Sequence, residues 1–165
     1  MSEVPKMPKL PKIMEKESDH NELNNHSGLN DLNHNNKGLI MKKKYRLLVI
    51  DDSEETVAGL EHFFSKNYEV FTAGDGMEGL KLFETEEKGF DLVITDLVMP
   101  FISGVGVISI IKKKYAGTPV IAITGWGEHP GALATEAQAD IVLGKPIELP
   151  ELDKLVSDLL AKKAQ

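Results

Sequence analysis

The chain has 165 residues, of which 41% are hydrophobic and 27% are charged, and it contains no cysteine. This length suits one globular domain with an additional tail, and the lack of cysteine excludes disulfides, thiolate metal sites and cysteine nucleophiles. The formal net charge of −7 disfavours nucleic-acid binding, because contacts with phosphates supply most of that affinity. We expect neither a leader peptide nor a membrane span, and therefore a cytoplasmic protein.

Residues 1–44 differ in composition from the rest of the chain. They carry eight Lys and six acidic residues, a net charge of +2, whereas residues 45–165 carry 11 basic and 20 acidic residues, a net charge of −9. Seven Asn fall within residues 20–36, where the few Leu residues are isolated. Such a segment buries too little apolar surface to offset its ordering entropy, so we predict a disordered polar extension over residues 1–44. An alternative is that translation begins at Met41.

From residue 45 onward, short apolar runs alternate with segments of helical spacing. The predicted strands are residues 46–50, 68–73, 91–95, 119–124 and 140–143. The predicted helices are residues 53–66, 75–88, 103–115, 130–138 and 148–162. The second helix is expected to bury Met77, Leu80 and Phe83 and to end at Gly89. The alternation indicates an α/β domain over residues 45–165, in which a doubly wound parallel sheet carries helices on both faces.

Polar residues stand at the carboxyl ends of four predicted strands, where ligands of such sheets bind. They are Asp51 and Asp52 after the first strand, Asp96 after the third, Thr124 at the end of the fourth and Lys145 after the fifth. Carboxylates that lie close together repel one another unless cations compensate. The expected cations are Lys145 and a hard, oxygen-seeking ion such as Mg²⁺, since no nitrogen- or sulfur-rich set indicates zinc.

Taken singly, each of these residues also has a structural interpretation. Asp51 or Asp52 could cap the first helix, Lys145 could be a surface charge, and Thr124 could simply end a strand. Their joint occurrence at one edge of the predicted sheet favours a common site.

Four segments of the sequence resemble the receiver domain of bacterial two-component response regulators. They are Asp51-Asp52, residues 91–100 together with Gly104, Thr124-Gly125, and Lys145-Pro146. Each segment alone is common, but here they follow one another in order, each at the end of a predicted strand. The resemblance covers about residues 45–164 and implies a flavodoxin-like fold with the strand order 2-1-3-4-5.

The resemblance implies roles for the site residues. Asp96 is similar to the phosphoacceptor, whose carboxylate attacks phosphorus to give an acyl phosphate. Asp52 resembles a direct Mg²⁺ ligand (or Mn²⁺ ligand), Asp51 the acid that holds the ion through water, and Asp96 and the backbone carbonyl of Val98 two further ligands.

Two more residues match the phosphoryl-binding part of the family's site. Lys145 resembles the lysine that pairs with the phosphoryl oxygens, and Pro146 follows it as in the family, where that peptide bond is often cis. Thr124 resembles the hydroxyl that moves to bind the phosphoryl group. In place of the aromatic residue that commonly switches in the family, this chain has Val142, which argues against aromatic switching here. The solitary Trp126 is expected to shade the phosphoryl group from water, to form a partner contact, or merely to cover the loop.

The implied partners are a sensor histidine kinase or phosphotransfer protein and a separate downstream effector protein. The resemblance implies neither nucleic acid nor membrane as a partner, and it leaves open whether phosphorylation drives dimerisation. Because no chain follows Gln165, we expect a stand-alone receiver that catalyses only its own phosphorylation and dephosphorylation.

Two other function classes are considered. A phosphohydrolase of the haloacid type also forms an aspartyl phosphate, but it needs an Asp-x-Asp motif after the first strand, which the segment 51–54 lacks. An interaction module with this fold that is not phosphorylated would be expected to have lost one of the acids or the lysine, and none is lost here.

Overall fold

The structure is a computed structural model that describes residues 44–125 and 128–165. The predicted extension up to residue 43, the alternative start at Met41 and the site of Trp126 lie outside the described residues. The described residues belong to one compact unit. None of the helices in the described ranges is long and apolar enough to cross a membrane.

Five parallel strands form a single sheet in the order β2-β1-β3-β4-β5. The strands are β1 (Arg46–Ile50), β2 (Glu69–Ala73), β3 (Leu92–Asp96), β4 (Val120–Thr124) and β5 (Ile141–Gly144). The predicted parallel sheet and its strand order are therefore confirmed. Because all the strands run in the same direction, their carboxyl ends meet at one edge of the sheet.

A helix follows each strand, and the helices cover both faces of the sheet. They are α1 (Glu54–Phe64), α2 (Gly76–Thr85), α3 (Gly104–Lys114), α4 (Glu128–Glu136) and α5 (Leu149–Lys163). Alternate residues of a strand point to opposite faces. In β1, Leu47 and Val49 therefore pack in the core that includes α1 and α5, whereas Leu48 and Ile50 pack in the core that includes α2, α3 and α4.

The burial of α2 differs from the prediction. Phe83 is buried as expected, but Leu80 is only partly buried and Met77 is 60% exposed. The residues that face the domain are Gly76 and Gly79: a Cβ atom on Gly76 would lie 2.5 Å from the carbonyl oxygen of Ile102, and one on Gly79 would collide with Ile50. The helix thus approaches the sheet through glycines, and this close approach rotates the predicted apolar face toward solvent.

The helix boundaries all differ from the predicted ones by one to three residues, and two of the differences have a clear local cause. Helix α2 ends at Thr85, and Gly89 lies in the following turn, with φ +63° and its N–H donated to the carbonyl of Glu86. Helix α4 begins at Glu128, so Pro130 falls in its first turn. Proline is tolerated there because the first backbone N–H groups of a helix have no intrahelical acceptor.

A buried arginine lies at the amino-terminal edge of the sheet, opposite the edge at which the strands end. Arg46 is 3% exposed, and its guanidinium donates to the carbonyl of Gly89 at 2.7 Å. It forms ion pairs with Glu69 at 3.3 Å and Glu86 at 3.1 Å, and its Cζ lies 4.4 Å from the ring centroid of Phe71. These contacts compensate the cost of removing the guanidinium from water.

Arg46→Leu should lower the free energy of unfolding by about 2–3 kcal/mol, because it leaves two carboxylates and a carbonyl without their cation. Urea denaturation followed by circular dichroism would measure the change. Lys44→Leu is the control, because the Lys44 ammonium makes only exposed contacts at 3.5 Å with the backbone of Ser65 and Lys66. Equal effects of the two substitutions would contradict the interpretation of Arg46 as a buried hub.

Candidate functional site

The strands and their connections bring the predicted site residues to the carboxyl edge of the sheet. Asp51 directly follows β1, Asp96 is the last residue of β3, Thr124 is the last residue of β4, and Lys145 directly follows β5. Strands β1, β3 and β4 are buried along their length, so the core fixes the backbone from which Asp51, Asp96 and Thr124 extend, whereas β5, which precedes Lys145, is only partly buried.

A single ammonium group lies between two buried carboxylates. Lys145 Nζ is 2.9 Å from Asp96 Oδ1 and 3.3 Å from Asp51 Oδ2. Asp51 is 2% exposed and Asp96 is 5% exposed, whereas the lysine side chain is 31% exposed. Three of the predicted site residues thus form one cluster, in which the charges of the buried acids are partly compensated from the solvent side.

Backbone amides fix the orientation of both carboxylates. The N–H of Ser53 donates to Asp51 Oδ1 at 2.8 Å, and the N–H of Val98 donates to Asp96 Oδ2 at 2.9 Å. Each carboxylate therefore has one oxygen bound to the backbone and the other directed to Lys145. Asp51 does not cap α1, since Ser53 is the N-cap and its hydroxyl accepts the N–H of Thr56.

The loop after Asp96 returns tightly against the end of β3. The N–H of Gly104 donates to the carbonyl of Leu97 at 3.0 Å. A Cβ atom at residue 104 would collide with the backbone carbonyl of Asp96 and lie 2.7 Å from the Cα of Leu97. Glycine is therefore required at this position if α3 is to begin beside the phosphoacceptor candidate.

Strands β4 and β5 bring Thr124 and Lys145 close to each other through the backbone. Thr124 is 8% exposed, and its carbonyl accepts the N–H of Lys145 at 2.8 Å. The Lys145–Pro146 peptide bond is cis. Val142 lies on β5 opposite Ala122, partly buried against the core on the α3 side of the sheet.

The environment shifts the pKa of two groups in the cluster. Burial raises the pKa of Asp51 above its ordinary value of 3.8, although the amide of Ser53 and the charge of Lys145 act in the opposite direction. Burial by itself would lower the pKa of Lys145, but the hydrogen bond to Asp96 and the charges of Asp51 and Asp96 outweigh it, so this pKa is raised. Lys145 is therefore a permanent cation at neutral pH.

The predicted metal ligands are placed differently from one another. Asp51 and Asp96 belong to the cluster, whereas Asp52 is exposed. No group of three or more His, Cys, Asp or Glu side chains that could hold a metal ion occurs within residues 44–125 and 128–165. The two buried carboxylates nevertheless fit a hard cation. Each supplies an anionic oxygen, and a buried negative charge is energetically unfavourable unless a cation compensates it. The ligand roles of Asp51, Asp52, Asp96 and the Val98 carbonyl stay predictions.

Sequence reasoning did not identify the two amide donors. Ser53 and Val98 act through backbone N–H groups, and every residue except proline has one. The spacing of two residues between each acid and its donor was the available signal, since aspartate side chains commonly accept the N–H two residues further on.

Asp51→Asn should raise the free energy of unfolding of the metal-free protein at neutral pH, because burial disfavours the charged form of Asp51 in the folded state. Because the pKa of Asp51 is raised on folding, its contribution to stability is fully present below pH 3.8 and is lost as pH rises through the folded-state pKa. The advantage of the variant should therefore shrink as the pH is lowered.

Urea titrations with a chelator at several pH values would measure this effect. The control is Asp52→Asn, which changes an exposed carboxylate of the same type. If Asp51→Asn instead destabilises the protein at neutral pH, the favourable ion pair with Lys145 outweighs the cost of burying the negative charge of Asp51.

Comparison with known proteins assigns the family. The model of the response regulator receiver domain matches residues 47–157, and the chain belongs to this family, whose members are signalling modules of two-component systems. A response regulator receiver domain protein from Clostridium thermocellum has a crystal structure that superimposes with a TM-score of 0.68 at 31% identity, covering 73% of this chain and 97% of that one.

Curated relatives are longer than this chain. The alkaline phosphatase synthesis transcriptional regulatory protein PhoP of Bacillus subtilis is 32% identical over 124 residues, which are 74% of this chain and 50% of PhoP. The transcriptional regulatory protein GlrR of Escherichia coli is 35% identical over 124 residues, which are 74% of this chain and 28% of GlrR. The matched region thus spans half or less of these two relatives.

Proposed function

We propose that Asp96 is a phosphoacceptor and that the chain signals through the conformational change that follows its phosphorylation. The observation that carries this proposal is the position of the Lys145 ammonium, 2.9 Å from one oxygen of the buried Asp96 carboxylate. The amide of Val98 holds the other oxygen, so the carboxylate is oriented and has a cation beside it.

The arrangement suits phosphoryl transfer, in which a protein mainly positions groups and neutralises charge. A carboxylate oxygen of Asp96 forms a bond to phosphorus while the bond from phosphorus to the donor breaks, and the donor's leaving group departs with the bonding electrons. Lys145 neutralises charge on the phosphoryl oxygens, and the hydroxyl of Thr124 donates a hydrogen bond to one of them.

The proposal includes a divalent cation bound at the site. The residues that would hold Mg²⁺ (or Mn²⁺) are Asp51, Asp52, Asp96 and the backbone carbonyl of Val98, and all of them offer the oxygen donors that these ions prefer. When bound, the ion supplies positive charge that offsets the negative charge of the incoming phosphoryl group.

The partners follow from this chemistry. We propose a sensor histidine kinase or a phosphotransfer protein as the phosphoryl donor and a separate protein as the downstream effector, acting in the cytoplasm. Residues 45–165 form the receiver domain, and residues 1–44 are a separate extension. The acyl phosphate carries about two negative charges where the Asp96 carboxylate carried one, and this added charge beside Lys145 and Thr124 shifts the population of conformations available to the following loops.

Incubation with acetyl phosphate, with and without Mg²⁺, tests the proposal when followed by intact-mass spectrometry. The expected result is a gain of one phosphoryl group that requires the metal. Continuous release of phosphate with repeated turnover would favour a phosphohydrolase, and the absence of both modification and turnover would favour an interaction module that is not phosphorylated.

A further inference from the structure

A fully buried hydroxyl group directly precedes the phosphoacceptor candidate. Thr95 lies in β3 and is 0% exposed, so bulk water cannot satisfy its hydroxyl. The hydroxyl instead donates a hydrogen bond to the backbone carbonyl of Asp96 at 2.9 Å. The strand neighbours of Thr95 are Ile50 of β1 and Ala122 of β4, which are both apolar. An apolar residue of the same shape would therefore suit these surroundings, and packing alone does not require a hydroxyl here.

The hydrogen bond holds the peptide group that links Asp96 to Leu97. The carbonyl of this peptide group accepts the Thr95 hydroxyl, and its N–H donates to the carbonyl of Ile123 on β4 at 2.9 Å. Both of its polar atoms are thus bonded to residues of the sheet. Rotation of the peptide group would break at least one of these buried hydrogen bonds, and leaving a buried polar group unsatisfied is energetically costly.

This peptide group belongs to the short turn that orients the Asp96 carboxylate. The N–H of Val98 donates to Asp96 Oδ2 at 2.9 Å. The covalent path from the carboxylate to that N–H passes through only two peptide groups, and the one held by Thr95 is the first of them. Its rotation would displace the N–H of Val98 from Oδ2. The carboxylate would then also lose the orientation that places Oδ1 2.9 Å from Lys145 Nζ.

The start of α3 restricts how the Asp96 carbonyl could find another donor. A Cβ atom at residue 104 would collide with the oxygen of this carbonyl, so α3 leaves no room for water on that side. The N–H of Gly104 already donates to the carbonyl of Leu97 at 3.0 Å. Without the Thr95 hydroxyl, the carbonyl could regain a donor only by a rotation of its peptide group, which is the movement that disturbs the carboxylate.

We infer that Thr95 is a positioning residue for phosphoryl transfer. It acts through the peptide group between Asp96 and Leu97 and through the N–H of Val98, and it holds the Asp96 carboxylate in the orientation from which an oxygen attacks phosphorus. The inference rests on the proposed role of Asp96. Its physical basis is that a small displacement of an attacking atom slows a reaction strongly, because the reacting atoms must be aligned.

Thr95→Val and Thr95→Ser separate the role of the hydroxyl from the role of packing. Valine has nearly the shape of threonine but no hydroxyl, whereas serine keeps the hydroxyl and leaves a small cavity in place of a methyl group. The measurement is the rate of mass gain with acetyl phosphate and Mg²⁺. Thr95→Val should slow it by about tenfold. Thr95→Ser should stay within about twofold of the wild type, although its cavity lowers the melting temperature.

Amide hydrogen exchange provides a second readout, which does not involve phosphorylation. The N–H of Val98 should exchange faster in Thr95→Val than in the wild type. The N–H of Ser53, which donates to Asp51 at 2.8 Å, is the internal reference and should not change. Thr118→Val is the control substitution, because Thr118 is also buried but precedes β4, at the opposite edge of the sheet. Its phosphorylation rate should match that of the wild type within about twofold.

Three results would overturn the inference while leaving Asp96 as the phosphoacceptor. They are equal phosphorylation rates for Thr95→Val and the wild type, a Thr95→Ser variant slowed as much as Thr95→Val, and unchanged exchange at Val98. Wild-type protein that gains no phosphoryl group would instead contradict the proposed function, and this inference with it. The two failures are therefore distinguishable.

Discussion

Asp96→Asn should abolish the covalent mass gain from acetyl phosphate and Mg²⁺ while it preserves the fold. The amide of Asn has no anionic oxygen that can attack phosphorus. The Asn side chain has nearly the same volume as that of Asp. Its carbonyl oxygen can still accept the hydrogen bond that the N–H of Val98 donates to the Asp96 carboxylate at 2.9 Å. The fold should therefore remain, and circular dichroism would confirm it.

The matched control for this substitution is Asp91→Asn. Asp91 directly precedes β3, whereas Asp96 ends it, so the two acids lie at opposite ends of one strand. Asp91 accepts the backbone N–H of Arg46 at 2.8 Å, a bond that Asn can also accept. This variant should be phosphorylated like the wild type. A mass gain that persists in Asp96→Asn would show that another group is modified.

Lys145→Met should slow phosphorylation by acetyl phosphate by about 100-fold or more. The substitution removes the cation that lies 2.9 Å from Asp96 and 3.3 Å from Asp51, leaving the two carboxylates without its charge. Loss of one positioned group that stabilises developing charge commonly costs a factor of this size. The rate of mass gain at fixed concentrations of acetyl phosphate and Mg²⁺ is the measurement.

Lys163→Met serves as the control for charge and exposure. The Lys163 side chain is 33% exposed and lies 3.7 Å from Asp91, compared with 31% exposure for Lys145. Loss of its ammonium should change the phosphorylation rate by less than about twofold, since an exposed ion pair contributes little. Equal rates for the two variants would remove Lys145 from the proposed site.

The sequence was sufficient to predict the sheet, because its five strands are apolar runs that end in polar residues. The strand order was implied by the resemblance to receiver domains rather than by the apolar pattern, and the structure has that order. The cluster of Asp51, Asp96 and Lys145 was predictable for the same reason: strand ends that share an edge bring their following residues together.

The orientation of α2 was not predictable from apolar spacing. A count of apolar side chains selects the face with Met77, Leu80 and Phe83, but glycine has no side chain to count. The structure places Gly76 and Gly79 against the domain, where a Cβ atom would collide with neighbouring residues. This close approach leaves Met77 60% exposed.

The buried contacts of Arg46 were likewise outside the reach of the sequence pattern. A charged residue at the start of a strand normally indicates the end of burial. Here β2 supplies a carboxylate and an aromatic ring and the end of α2 supplies a second carboxylate, and only the three-dimensional fold brings them to the guanidinium. Contacts of this kind depend on tertiary structure, whereas periodicity reports only local structure.

The most direct test of the phosphoacceptor assignment is to locate the modified residue. Borohydride reduces an acyl phosphate on aspartate to homoserine, whereas free carboxylates are not reduced, so peptide mass spectrometry can identify the site. After treatment with acetyl phosphate and Mg²⁺, we predict homoserine at position 96 alone. Homoserine at another acidic position, or its absence in protein that has gained the phosphoryl mass, would contradict the assignment of Asp96.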